Sequence, residues 1–108
     1  MNFINLTPHA ITVATGDEST TFAPSGMVAR VATIRTEVAP VGGFRLVTSN
    51  FGEVIDLPSP QEGTAFIVSA LVLSALGGSR GDVVAPDTGA DAVRNDKGHI
   101  VAVRGFVQ

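Results

Sequence analysis

Apolar and polar residues alternate in short runs along most of this chain, with the two-residue period of half-buried β-strands, and turn-forming residues separate the runs. Ala10-Ile11-Thr12-Val13-Ala14 alternates, Thr15-Gly16-Asp17 supplies a turn, and Thr20-Thr21-Phe22 forms a return strand. Pro24-Ser25-Gly26 closes this unit with residues that preset φ or permit positive φ. Residues 27–38 are a long β-branched stretch, which Pro40-Val41-Gly42-Gly43 turns into a strand over 44–48. A further short strand is expected over 51–55, before Leu57-Pro58-Ser59-Pro60, which is unsuited to a central strand because proline donates nothing to the ladder.

The pattern then changes. Thr64-Ala65-Phe66-Ile67-Val68 reads as a buried strand, and Ser69 stands where a helix N-cap belongs. Residues 70–76 are helix formers that place Leu73 and Leu76 on the core, and Gly77-Gly78 supplies the stop. A strand over 82–85 follows. The intervening residues, 69–81, are long enough for a crossover that keeps the flanking strands parallel. The last expected unit is a hairpin of 92–94 and 99–103 around Asn95-Asp96-Lys97-Gly98, with Gly98 left-handed. The expected fold is mainly β, either β-barrel-like or a β-rich α+β fold, with one short helix near 70–76. No repeat or break in composition divides it, so residues 1–108 are read as a single β-rich domain.

Composition narrows the functions open to such a domain. A chain of 108 residues is long enough to bury roughly 65% of its extended surface without staples, and it contains no cysteine. Disulfide frameworks and thiolate metal sites are therefore excluded. Only 16% of residues are charged and the net charge is −3, which leaves little repulsive surface and predicts self-association into a homo-oligomer. The seven basic residues, Arg30, Arg35, Arg45, Arg80, Arg94, Lys97 and Arg104, are dispersed, so no nucleic-acid footprint is expected. Met1-Asn2-Phe3-Ile4-Asn5 lacks the basic start of a signal peptide, and the apolar run 65–76 is too short to span a bilayer. No membrane partner is expected, and the place of action is read as a cytoplasm.

No group of residues has the spacing of a reactive centre. Asp87-Thr88-Gly89-Ala90 resembles the signature of retroviral-type aspartic proteases, which pair two such aspartates at a dimer axis. Here Pro86 replaces the preceding apolar strand residue, and the nineteen residues after Gly89 are too few for the rest of a lobe. A turn is the preferred reading. His9 and His99 lack metal-ligand spacing, so neither a metal nor a cofactor is expected. Ser69 occupies a strand-to-helix junction but lacks the flanking glycines of a nucleophile elbow. Arg30 lies among apolar residues, where it must snorkel, pair with an acid such as Glu53 or Asp82, or enter a pocket. If a small anion binds, Arg30, Arg80 and the helix start at Ser69 are the expected contacts, with Asn5, Thr7 and His9 at the rim.

Six stretches together carry a resemblance: Ile4-Asn5-Leu6-Thr7-Pro8-His9, Pro24-Ser25-Gly26 with Val28-Ala29-Arg30-Val31, Gly52-Glu53-Val54, residues 57–63, Ile67-Val68-Ser69-Ala70-Leu71-Val72, and Asp82-Val83-Val84-Ala85-Pro86-Asp87-Thr88-Gly89. The chain is similar over nearly its whole length to a family of small uncharacterised proteins of tailed bacteriophages, prophages and some bacterial genomes. That family has no established activity, cofactor or catalytic residue, so the resemblance implies context alone. The expectation is a non-enzymatic phage accessory protein in the host cytoplasm. It would bind a small anionic ligand, such as a nucleotide signal of bacterial defence, or a host protein. The alternatives are a structural or decoration protein of the virion and, behind it, the protease-like homodimer.

Overall fold

A computed structural model describes residues Met1–Gln108. Its architecture is a β-rich α+β fold with one short helix, in which the strands group into several small sheets. The central sheet has four strands: β1 (Asn2–Asn5), β6 (Thr64–Ile67), β7 (Val83–Pro86) and β10 (Phe106–Val107), in the order β1-β6-β7-β10. β1 and β7 both run parallel to β6, and β10 is antiparallel to β7. As the spacing of residues 69–81 predicts, the link from β6 to β7 is a helical crossover, α1 (Ala70–Leu76). Ser69 caps this helix by accepting a hydrogen bond from the Val72 N–H, and Gly77 ends it at φ 58°, a left-handed conformation that costs glycine nothing.

The parallel strands are buried on both faces, which explains the unbroken apolar run of β6. Phe66 and Val68 point to one face, where they pack with Leu6, Ala29, Val72 and Val83. Ala65 and Ile67 alternate to the other face, along with Phe3, which faces Ala65 in the ladder. There the rings of Phe3, Phe22 and Phe106 cluster, with centroids 5.1 and 5.6 Å from that of Phe3. Phe22 arrives on the hairpin of β2 (Ile11–Thr15) and β3 (Glu18–Phe22). The hairpin of β8 (Val93–Arg94) and β9 (Ile100–Ala102) joins β2 through a Val13–Val103 bridge. Around its turn the Asn95 side chain accepts from the Lys97 and His99 N–H groups.

The remaining hairpin differs from everything else in the molecule. β4 (Arg30–Val41) and β5 (Phe44–Ile55) pair only with each other over twelve residues each. Strands of that length reach roughly 40 Å. At their base Val31 and Val54 touch the core, but nearly every residue beyond is exposed. The pair projects as an arm and stretches the molecule to 55 Å along its long axis. The radius of gyration is 16.8 Å, where a compact chain of this size has about 13 Å.

Three features depart from the sequence pattern. The alternation assigns no strand to residues 2–5 or 106–107; these short strands exist because the buried β6–β7 pair offers them edges to join. It breaks 44–55 into two strands, whereas β5 is continuous, because Ser49 and Asn50 find ladder partners in Arg35 and Ile34. Pairing overrides their low strand preference. Finally, β4 starts at Arg30, since the Ala29 N–H is already given to the Leu6 carbonyl.

Candidate functional site

Asn5, Thr7 and His9 do come together, in the loop that leaves β1. Asn5 is buried, and its amide Nδ2 donates to the carbonyls of His9 (2.8 Å) and Phe22 (2.9 Å). Its Oδ1 accepts from the Thr7 N–H (2.9 Å) and the Thr7 hydroxyl (2.7 Å). The Asn5 carbonyl accepts from both the N–H and the hydroxyl of Ser25. One side chain thus ties β1, the 5–9 loop and the end of β3 together, and its amide has no donor left for a ligand. Of the three rim residues only His9 is exposed.

The other three anion-site residues serve separate places. Ser69 is occupied as the helix cap. Arg30 is exposed at the base of the arm and forms no ion pair; of the two acids expected for it, Asp82 is held by Arg80 and Glu53 is unpaired. Arg80 grips Asp82 with two hydrogen bonds of 2.9 Å and donates a third, also 2.9 Å, to the Pro58 carbonyl. Its guanidinium lies 6.0 Å from the centre of the Phe66 ring. The hydrogen bonds raise the Arg80 pKa and lower that of Asp82, against an opposing effect of partial burial. This ion pair fastens the 57–60 segment over the core, and three of the five guanidinium N–H donors are spent on protein oxygens.

A pH-dependent prediction follows from the pair. A carboxyl whose folded pKa is depressed contributes stability above its unfolded pKa of about 3.9 and loses it as pH falls through the folded value. Asp82→Asn is expected to lower stability by about 1–2 kcal/mol at pH 7, since each side chain keeps only about a fifth of its surface exposed. The gap between variant and wild type should close in acid, below about pH 4. Urea unfolding at a series of pH values measures it; a gap that persists undiminished in strong acid rules out the ion pair as its source.

The aspartic-protease motif takes the form of a turn, in which Asp87 Oδ1 accepts from the Gly89 N–H at 3.0 Å. No group of three or more His, Asp or Glu side chains is placed to hold a metal ion. The one pocket is a shallow cleft of about 160 Å³ between β2, β9 and the end of β7, lined by residues such as Ile11, Pro86, Thr88, Ile100 and Val101. None of its lining residues is charged, and it is smaller than the roughly 300 Å³ at which ligand pockets begin.

The largest unsatisfied surface is the arm. Its register sorts the side chains into two unlike faces. Arg35, Glu37, Arg45, Val47, Ser49 and Phe51 lie on the first, where Arg45 and Glu37 approach to 3.6 Å. On the second, Ile34 faces Asn50, Thr36 faces Thr48, Val38 faces Leu46, and Val41 faces Phe44. Ile34 is 54% exposed, Val41 61% and Phe44 77%, and Val38 and Leu46 are more than a third exposed. The turn at the tip is Gly42-Gly43, both at positive φ (56° and 80°), the backbone that suits a tight two-residue hairpin. The signal for this surface is present in the sequence as the spacing Ile34-x-Thr36-x-Val38 against Arg35-x-Glu37. Alternation shows that a strand has an apolar face; it does not show whether that face is covered.

Comparisons with protein families, with curated proteins and with solved structures gave no match. No helix in the structure is long and apolar enough to cross a membrane.

Proposed function

We propose that this chain is a non-enzymatic binding protein that works through protein–protein contact, with the β4–β5 arm as its working surface. The observation that carries the proposal is the arm's exposed apolar face. An isolated two-stranded hairpin is marginally stable in water, so a long one with an uncovered apolar face calls for a protein surface against it. The phage accessory context that the sequence resemblance implies fits such a role, as does a part in virion assembly. A small anion is the less favoured partner, because Asn5, Thr7, Ser69 and Arg80 already hydrogen-bond to protein groups.

A photo-crosslinking amino acid at Phe44, introduced in cells that make the protein, tests this. Irradiation is expected to give discrete covalent adducts with protein. The same group at Asp17, in the exposed β2–β3 turn, should give none. Equal labelling at the two positions, or none at Phe44, ends the proposal.

A further inference from the structure

Resting on that reading, we infer that the partner is a second copy of this chain, seated with the apolar face of its arm against the same face of the first. Three properties of the face select this occupant. From residue 32 to residue 50 it carries no charged side chain: its polar members are Thr36, Thr48 and Asn50, and the charges of Arg35, Glu37 and Arg45 lie on the reverse. A partner bearing charge would have to bury it without a counter-ion, whereas the same face of another copy brings none. Along the face the polar Thr36–Thr48 pair separates Ile34, which faces Asn50, from Val38, Leu46, Val41 and Phe44. A two-fold contact uses the same patch on both copies, so every side chain of this uncharged face would meet another uncharged one.

Area is the third property. At their observed exposures the five apolar side chains present roughly 500 Å², which is the size of a functional patch. Two copies together remove about 1,000 Å² from water, where specific protein interfaces begin. One bulge interrupts the ladder between Val31 and Thr33, at the base, and another between Val38 and Val41, so that the Val41–Phe44 pair lies beyond the second. Bulges sharpen local twist, so the length between them is the straighter part of the arm. The reverse face stays in water, and its charges keep the paired arms soluble.

Sedimentation at tens of micromolar is expected to give a species of twice the 11.1 kDa chain mass. Val38→Lys combined with Leu46→Lys should return it to the monomer, and Ser49→Lys on the reverse face should not. Because the double variant could unfold the arm, a second measurement uses the absence of native cysteine. Thr36→Cys, at the centre of the apolar face, should form an intermolecular disulfide under mild oxidation, and Arg35→Cys should not. A wild-type monomer throughout this range overturns the inference, as does equal cross-linking of the two cysteine variants. If the monomer still gives adducts with another protein from position 44, the binding role stands and the second copy is the wrong partner. If position 44 gives no adduct, both proposals fall.

Discussion

Replacing Phe66 with alanine is expected to cost about 3–5 kcal/mol. Phe66 is wholly buried at the centre of β6, between β1 and β7, and its ring packs in the cluster with Leu6, Val68, Val72 and Val83. It also lies beneath the Arg80 guanidinium, so the substitution takes away part of the floor on which the Arg80–Asp82 pair rests. The magnitude matters because the core is small. Only 14 of 108 residues are buried, and a domain of this size has about 5–15 kcal/mol of stability in total. The variant is therefore expected to be largely unfolded near 37 °C and measurable only at low temperature. Urea unfolding should show a lower midpoint with a nearly unchanged slope. A loss under about 1 kcal/mol would place the main core elsewhere than around β6.

The second large effect is expected at Asn5, through hydrogen bonding at constant shape. Asn5→Asp keeps the volume but replaces the two amide donors with an oxygen that faces the His9 and Phe22 carbonyls. The His9 carbonyl keeps the Thr7 hydroxyl at 3.0 Å, so the loss falls on the Phe22 contact and on the buried carboxylate itself, and a total of about 2–3 kcal/mol is expected at neutral pH. The introduced carboxyl is buried and faces oxygen atoms, both of which favour its neutral form and raise its folded pKa. In that case the unfolded chain releases its proton first as pH rises, so stability falls with rising pH above about 3.9. The deficit should be smallest in acid and should grow on the neutral side of that value, whereas the Asp82→Asn difference changes on the acid side. Unfolding curves from pH 3 to pH 8 would separate the two. A pH-independent deficit at Asn5 would mean that the loop opens and hydrates the new carboxylate.

These two substitutions mark a division of labour in the molecule. The body is held by a small dry centre and by two polar ties, Asn5 on one side and Arg80–Asp82 on the other. The arm draws almost nothing from the body beyond Val31 and Val54 at its base. Changes on the arm's outer apolar face should therefore leave the body folded while altering what the protein binds.

Much of the body was legible in the sequence because its causes are local. The cap at Ser69, the helix over 70–76, the stop at Gly77 and the turn at residues 95–98 follow from side-chain groups acting within a few residues of themselves. The parallel relation of β6 and β7 also followed, since the length of a crossover limits the direction of the strands it joins. The candidate ligand residues fared differently. Asn5, Thr7, Ser69 and Arg80 have the chemistry of an anion site, but a sequence does not show what a donor or acceptor meets. In the fold they meet the carbonyls of His9, Phe22 and Pro58, the Asp82 carboxylate and the Val72 N–H.

Local signals along the chain suffice for a cysteine-free, weakly charged and β-rich protein with one short helix. Long-range packing adds that residues 2–5 join the edge of β6, that Asn5 is a lock inside the body, and that the strands around Gly42-Gly43 leave the body altogether. The physical reason is range. Turn, cap and alternation signals act over a few residues, whereas burial depends on which distant segment comes to lie on a face. For the outer half of the β4–β5 arm, no segment of this chain does.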